Sequence, residues 1–213
     1  MDRRSHWDHV YRTKGPDQVS WFQAEARRPR ALIERVAPSR DTRIIDVGAG
    51  ASTLVDGLLA AGYSRVTVVD LSPTALTLAQ QRIGAAADAV TWLPGDVLAL
   101  PFAAGAFDVW HDRAVFHFLT LPAERARYIA QVRRTVAPGG HVLVATFAED
   151  GPARCSGLEV ARYSPAALHG EFGPDFLLLA SEREVHTTPT GAEQAFTYCL
   201  CRFAPALQPS PAA

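Results

Sequence analysis

Four residues in the middle of the chain carry side chains that could take part in proton transfer or charge recognition. They are His111, Asp112, Arg113 and His117, in the stretch FDVWHDRAVFHFL at residues 107–119. Either histidine could act as a general base, since an unperturbed imidazole titrates at about pH 6.5. Arg113 could bind an acidic substrate or pair with the neighbouring aspartate. We therefore treat these four as candidate catalytic residues.

The two histidines also have less reactive interpretations. The apolar residues of the segment 107–110 predict a strand, which places His111 at its carboxyl end, where open α/β sheets bind ligands. There, His111 and Asp112 could contact a cofactor through backbone groups alone. His117 stands between two phenylalanines and could equally be a core histidine. At the level of sequence both alternatives stay open.

A glycine turn earlier in the chain predicts a ligand-binding loop. The segment IIDVGAG, residues 44–50, indicates a buried strand followed by a turn and then a helix. Gly48 and Gly50, on either side of Ala49, would let a ligand approach the backbone closely, and the helix N-terminus offers free N–H groups. A dinucleotide fingerprint needs a third glycine where this chain has Thr53.

Asp46 lies at the end of this strand and narrows the choice of ligand. A carboxylate at that position would repel a pyrophosphate but would attract a cationic amine. The expected ligand therefore carries a ribose and a positive group rather than two phosphates. S-adenosylmethionine meets this description, because it has a sulfonium and an α-ammonium group, and we expect it as the cofactor.

Two further acids follow the second and third predicted strands. Asp70 ends the second strand, where a carboxylate can accept two hydrogen bonds from a ribose diol. Ser72 is placed to cap the next helix. Asp96 could accept a hydrogen bond from the exocyclic amine of adenine, with Val97 against the ring, or it could be a turn aspartate bonded to its own loop. The cofactor-binding candidates of this region are Asp70, Leu71, Ser72, Asp96 and Val97.

The elements that must position these residues alternate between strand and helix, which predicts one α/β domain over residues 41–203. The apolar pattern predicts strands at residues 44–47, 65–70, 89–93, 107–110, 141–147, 176–185 and 194–203. The last two follow each other without a crossover helix, which implies antiparallel pairing. Residues 204–213 are expected to form a disordered tail.

Aromatic residues crowd the otherwise polar N-terminal segment. Trp7, Tyr11 and Trp21 could pack on the domain, cover a cavity in it, or do both. An aromatic face beside a sulfonium would gain about 0.5–2 kcal/mol of cation–π attraction. We therefore predict that residues 1–40, an aromatic arm and a helix, form a lid.

The composition argues against several classes of function. The 213 residues carry a formal net charge of −1, so no basic excess favours nucleic acid. No apolar run reaches the roughly 18 residues of a membrane span, and the N-terminus lacks an apolar export segment. Three cysteines without a zinc spacing suggest reduced thiols. We expect a cytoplasmic monomer or weak dimer without a metal site.

Together these stretches resemble the class I S-adenosylmethionine-dependent methyltransferases. The matching segments are IIDVGAG, VVDLS, GDV, FDVWHDRAVFHFL and VAPGGHVLVATF. The resemblance implies a Rossmann-like seven-stranded sheet in the order 3-2-1-4-5-7-6, with strand 7 antiparallel and helices on both faces. It also implies cofactor-binding roles for Asp46, Gly48, Gly50, Asp70, Leu71, Asp96 and Val97.

The N-terminal segment WDHVYRTKGPDQVSWF is similar to the opening of lysine methyltransferases that act on elongation factor 1A or citrate synthase. This similarity implies that Trp7, Tyr11 and Trp21 lie near the cofactor. Methyl transfer to a small molecule is the favoured function, because no docking extension is evident. Transfer to a protein lysine, or nucleotide binding without catalysis, are the alternatives. The acceptor atom and the need for a general base stay open.

Overall fold

The computed structural model describes residues 2–206, in which a mixed sheet carries helices on both faces. The helices are α1 (Arg3–Thr13), α2 (Arg27–Val36), α3 (Leu54–Ala60), α4 (Pro73–Ile83), α5 (Pro122–Thr135) and α6 (Pro165–Phe172). The strands are β1 (Arg43–Val47), β2 (Arg65–Asp70), β3 (Val90–Pro94), β4 (Phe107–Arg113), β5 (Val136–Phe147), β6 (Arg154–Cys155), β7 (Leu158–Glu159), β8 (Phe176–Thr187) and β9 (Glu193–Phe203).

The seven long strands run in the order β3-β2-β1-β4-β5-β9-β8, and β6 and β7 form a separate hairpin. The pairs among β1 to β5 are parallel, whereas β9 is antiparallel to both β5 and β8. The predicted strand order and the antiparallel position of the last strand are confirmed, once the two hairpin strands are left out of the numbering.

Alternating side chains of the central strands build a core on each face of the sheet. In β1, Ile44 packs with residues of α2 and α3, whereas Ile45 packs with residues of α5 and α6, and both are fully buried. Successive side chains of a strand point to opposite faces. Asp46 therefore lies on the same face as Ile44, and His111 of β4 is its neighbour in the sheet register.

β5 begins earlier than the predicted strand at residues 141–147. The helix before it ends at Thr135, and Val136 already pairs with Phe107 of β4. Pro138 and the two glycines after it therefore lie inside the strand, where the register with β4 shifts. Gly139 has a φ of +82°, a conformation that suits the irregularity of a bulge.

The N-terminal segment forms α1, and residues 19–23, which contain a turn closed by a hydrogen bond from the Phe22 N–H to the Val19 carbonyl, form a strap between α1 and α2. Asp8 of α1 accepts hydrogen bonds from Ser72 Oγ at 2.9 Å and from the Thr74 N–H at 3.3 Å. At the other end of the helix, Arg3 forms an ion pair of 2.8 Å with Glu124 of α5. α1 is thus tied to a helix on each side of the region where the parallel strands end.

Part of the predicted disordered tail, residues 207–213, lies outside the described residues. Ahead of it, the Ala204 N–H donates to the Asp175 carbonyl at 2.7 Å. Within residues 2–206, no helix has both the length and the apolar character needed to cross a membrane.

Candidate active site

A cavity of about 380 Å³ opens at the carboxyl ends of the parallel strands. Its wall includes residues that follow β1, β2, β3 and β4, and it is covered by aromatic side chains of the N-terminal segment. A smaller cavity of about 40 Å³ adjoins it beneath the strap. Gly48, Trp21 and Arg113 line both cavities, so the two meet beside the glycine turn.

The glycine turn after β1 needs glycine at two positions. Gly48 and Gly50 have φ angles of +61° and +56°, in the left-handed region that side chains disfavour. A Cβ on Gly48 would overlap the Val115 side chain, and a Cβ on Gly50 would overlap the Tyr11 hydroxyl. Ala49 lines the smaller cavity, and its N–H donates to the Val69 carbonyl at 3.2 Å. The turn is therefore packed tightly by the segment that follows β4 and by α1.

Asp70 is held rigidly in the wall of the larger cavity. Its Oδ2 accepts from the Gly50 N–H at 2.8 Å, and its Oδ1 accepts from the Ser72 N–H at 2.7 Å. Burial raises the pKa of this carboxyl to about 6. Each carboxylate oxygen has a second lone pair, so the group can still accept a pair of hydroxyls from a ribose.

The other candidates of this region divide between the wall and the scaffold. Leu71, Asp96 and Val97 line the larger cavity. Asp96 is exposed and also accepts from the Leu98 N–H at 2.9 Å, as a turn aspartate does. Ser72 is fully buried and accepts from the Ala75 N–H at 3.2 Å, so it caps α4. The structure therefore does not bring the Ser72 side chain to the cavity.

Asp46 and His111 form a buried pair beside the glycine turn. Asp46 Oδ1 and His111 Nδ1 lie 2.7 Å apart, and both side chains are 3% exposed. Among the described residues, Asp46 Oδ2 and His111 Nε2 are buried without a hydrogen-bond partner. Buried polar atoms nearly always have partners in native proteins. The pair therefore fits a site that binds a polar ligand.

Arg113 does not pair with its neighbour Asp112, which was one of its predicted alternatives. Its Nε donates to the Tyr198 hydroxyl at 3.1 Å, and its Nη1 donates to the Trp21 carbonyl at 3.2 Å. The guanidinium also lies 4.2 Å from the centre of the Phe196 ring. The residue thus links the last strand of the chain to the strap.

Asp112 is placed as a scaffold residue rather than as a base. It is fully buried, and it accepts from the Val115 N–H at 2.8 Å, the Phe116 N–H at 3.1 Å and the Tyr128 hydroxyl at 2.5 Å. Burial raises its pKa to about 6. These bonds shape the turn after β4. The structure does not bring Asp112 to either cavity, so its position does not favour the predicted catalytic role.

His117 is likewise withdrawn from the cavities. Its ring packs 4.4 Å from the ring of Phe118 and 4.8 Å from that of Phe147. Burial lowers its pKa to about 3, so the imidazole stays neutral at ordinary pH. The predicted alternative of a core histidine describes this placement, and a catalytic role for His117 is not favoured.

The predicted aromatic residues of the N-terminal segment all line the larger cavity. The Trp21 Nε1–H donates to the Tyr11 hydroxyl at 3.2 Å, and the rings of Trp7 and Trp21 meet edge to face at 5.6 Å. Trp7 also contacts Phe118, whose ring lies 5.1 Å away. Phe118 was missed by sequence reasoning, although its place in the turn after β4 was a signal.

The strap is fixed by residues that sequence reasoning also missed. His186 Nε2 lies 2.8 Å from the Ser20 carbonyl, and Thr53 Oγ donates to the Gln23 carbonyl at 3.0 Å. Glu184 of β8 lies 3.5 Å from the Gln23 side-chain nitrogen. No sequence signal could have found the β8 anchors, because they are separated from the strap by more than 160 positions.

Comparison with known proteins agrees with this geometry. Residues 45–144 match a family model described as a methyltransferase domain. The ubiquinone/menaquinone biosynthesis C-methyltransferase UbiE of Roseobacter denitrificans is 33% identical over 122 residues, which span 56% of this chain and 48% of that protein. The eEF1A lysine and N-terminal methyltransferase of Danio rerio is 24% identical over 148 residues, which span 68% of this chain and 21% of that protein.

A solved structure resembles almost the whole chain. It is the 1,6-didemethyltoxoflavin-N1-methyltransferase of Burkholderia thailandensis, crystallised with 1,6-didemethyltoxoflavin and S-adenosylhomocysteine. The TM-score is 0.70 at 24% identity, over 95% of this chain and 87% of that one. By contrast, the matched region spans about half of the bacterial curated relative and about a fifth of the Danio rerio protein.

The sheet order and the position of the larger cavity define a Rossmann-like α/β protein with a cleft at the carboxyl ends of its parallel strands. The methyltransferase-domain match spans residues 45–144, just under half of the chain, and it agrees with the resemblance to the class I S-adenosylmethionine-dependent methyltransferases that the sequence motifs indicated.

Proposed function

We propose that this protein transfers a methyl group from S-adenosylmethionine to a small-molecule acceptor. One observation carries the proposal. A cavity lined by carboxylates at the ends of β2 and β3 adjoins the buried pair of Asp46 and His111, and α1 covers it. This arrangement provides both a place for an adenosine and a sheltered place for a reacting group.

The residues present fit S-adenosylmethionine along the whole edge of the sheet. Asp96 and Val97 would hold the adenine, and Asp70 would hold the ribose. The unpartnered Asp46 Oδ2 would accept from the α-ammonium group, which satisfies an otherwise orphaned buried oxygen. Trp7 and Trp21 would face the sulfonium, with about 0.5–2 kcal/mol of cation–π attraction.

The bound cofactor supplies a methyl group that its sulfonium already activates. The chain's own residues then have to hold the acceptor in line, and orientation of this kind can lower a barrier by up to about 7–11 kcal/mol. Covering by α1 excludes water from the reacting groups. If the acceptor arrives protonated, His111 Nε2 is the candidate base, because a Nδ1–H donated to Asp46 leaves Nε2 free to accept a proton.

A protein lysine methyltransferase is the second candidate. It is supported by the N-terminal segment and by the similarity to the Danio rerio enzyme named above. We favour a small molecule because α1 is tied to α4 and α5 and narrows the access to the cavity.

Incubation with methyl-labelled S-adenosylmethionine and cell extract separates the candidates. We expect label in the small-molecule fraction, and Asp70→Asn should abolish most of it, whereas Asp88→Asn, on an exposed carboxylate, should not. Label fixed in a protein band would instead support methyl transfer to a protein lysine. S-adenosylhomocysteine binding without any labelled product, over a range of extracts, would indicate a binding module without catalysis.

A further inference from the structure

Arg113 is a buried cation at the junction of the two cavities. Its side chain is 10% exposed, and it lines both of them. Two of its nitrogens donate to Tyr198 and Trp21, as described above. The third, Nη2, is buried and has no hydrogen-bond partner within residues 2–206. A buried charged donor without a partner is costly, which points to a ligand atom that completes the set.

Glu184 lies close to Arg113 but does not satisfy its Nη2 donor. Glu184 lies 4.0 Å from Arg113 Nη2, beyond hydrogen-bond distance. Its oxygens are engaged elsewhere, because one accepts from the Tyr198 hydroxyl at 2.8 Å and the other lies 3.6 Å from Arg28 Nε. Arg28 also pairs with Glu182, and Glu184 is engaged by the Tyr198 hydroxyl, so Arg113 Nη2 is the donor that is left without a hydrogen-bond partner among the described residues.

The side chains around this junction add donors, and the carboxylates that line the same cavities, Asp46, Asp70 and Asp96, are those that would hold the cofactor. The Tyr11 oxygen accepts from Trp21, and burial raises the pKa of this hydroxyl, so it keeps a proton to donate. Burial also raises the pKa of the Cys155 thiol to about 12, so the thiol lines the cavity as a neutral group. Trp7 and Phe118 supply flat apolar surface.

We propose that the methyl acceptor is a flat small molecule that carries an oxyanion, a carboxylate or a phenolate, bound by Arg113 against the wall of Trp7 and Phe118. This inference rests on the proposed methyl transfer and narrows its substrate class. An ammonium group, such as that of a lysine side chain, would meet a cation here. The α-ammonium group of the cofactor would have Asp46 in the smaller cavity, which leaves Arg113 for the acceptor.

Three small probes of matched shape test the charge preference in the wild-type protein. We would load the protein with S-adenosylhomocysteine and follow tryptophan fluorescence while adding benzoate, benzyl alcohol or benzylamine. Benzoate should bind at least about tenfold more tightly than benzyl alcohol, because a charge-assisted bond to a guanidinium is added. Equal binding of the two, or tighter binding of benzylamine, would overturn the inference without any variant.

Substitutions then assign the preference to Arg113. In Arg113→Gln the ratio of benzyl alcohol to benzoate dissociation constants should fall to about one, and Arg113→Lys should keep part of it, because the charge is retained. Arg27→Gln is the matched control, since Arg27 is 78% exposed and pairs with Glu25. A merely structural role for Arg113 would weaken all three probes together, so an unchanged ratio in Arg113→Gln contradicts the proposal.

Binding of S-adenosylhomocysteine distinguishes a role of Arg113 in cofactor binding from a role in acceptor binding. If Arg113→Gln weakens S-adenosylhomocysteine and leaves the probe ratio unchanged, the residue holds the cofactor's carboxylate, and the acceptor proposal is wrong. If wild-type protein binds S-adenosylhomocysteine but shows no preference for benzoate, the acceptor class alone is wrong. If it binds no S-adenosylhomocysteine, the proposed function itself fails.

Discussion

Asp70 and Asp112 are alike in chemistry and in burial, yet their neighbours give them different tasks. Both pKa values are raised to about 6 by burial. Asp70 lines the larger cavity, whereas the oxygens of Asp112 accept hydrogen bonds from the turn after β4 and from Tyr128. The position of Asp70 in the cavity wall was predictable, because it follows the glycine turn at the spacing of a ribose-binding acid. That of Asp112 was not, since its partner Tyr128 lies sixteen positions later on a helix.

The raised pKa of Asp70 predicts a pH dependence of cofactor binding. Ribose hydroxyls donate to the ionised carboxylate, so affinity for S-adenosylhomocysteine should weaken as the pH falls below about 6. At one pH unit below the pKa we expect about a tenfold loss, since a single protonation then competes with binding. Calorimetry over this range measures it, and Asp70→Asn should be weaker throughout and lose the pH dependence.

Unfolding does not explain such a loss. Because the folded-state pKa of Asp70 lies above its unfolded value, its contribution to stability is greatest below about pH 4 and decreases as the pH rises through about 6. Asp112 acts in the same direction. An affinity that is unchanged between pH 7 and pH 5 would show that Asp70 does not bind the ribose.

Tyr128→Phe should destabilise the fold without removing cofactor binding. The hydroxyl donates to Asp112 at 2.5 Å and accepts from Trp110 Nε1 at 2.8 Å, so the substitution leaves Trp110 Nε1 without a partner and removes one of the hydrogen bonds to the buried Asp112. We expect a loss of about 2–4 kcal/mol in the free energy of unfolding by urea. Tyr63→Phe is the matched control, because its hydroxyl makes one bond, to the Ala37 carbonyl at 2.6 Å. Equal losses in the two variants would contradict the scaffold role of Asp112.

At the scale of elements, apolar periodicity and the glycine turn predicted the parallel strands, which follow from local sequence, whereas their order was implied by the family resemblance. The start of β5 was missed, since Pro138 and the glycines after it resemble a helix stop, and only pairing with β4 draws Val136 into the strand. The tight packing of α1 on the glycine turn could not be predicted from local sequence either. It joins Tyr11 to Gly50, far apart in the chain.

Gly50→Ala should therefore damage the site more than its backbone conformation alone explains. A Cβ there would overlap the Tyr11 hydroxyl and push α1 away from the cavity. Gly84→Ala is the matched control, because Gly84 has a φ of +59° and open space where its Cβ would lie. The control should lose about 1–3 kcal/mol of stability and keep its affinity for S-adenosylhomocysteine. Gly50→Ala should lose that affinity as well, and equal affinities would show that α1 does not close the site.

At the scale of the whole molecule, the site is completed by the two ends of the chain. The strap between α1 and α2 is held by Arg113, by Thr53 and by residues of β8. The aromatic character of the strap predicted a position near the cofactor. The residues of β8 that hold the strap could not be predicted from sequence, because contacts between residues more than 160 positions apart form only when the sheet is complete.

Cofactor binding should consequently stabilise part of β8, although β8 does not line the larger cavity. We expect S-adenosylhomocysteine to slow amide hydrogen exchange in residues 19–23 and, together with them, in residues 183–187. The other end of the same strand, Leu177–Leu179, is exposed and serves as an internal control that should not change. Protection of the strap without any effect on residues 183–187 would show that the two are not coupled.

The strap is translated long before the β8 residues that hold it in place. A ribosome produces the first forty residues well before it reaches Glu184 and His186, the groups that tie the strap down. The nascent chain can therefore pair β1, β2 and β3 before the strap has formed its contacts with Glu184 and His186. Closing such a long loop is slow, so the candidate site is assembled among the last events of folding.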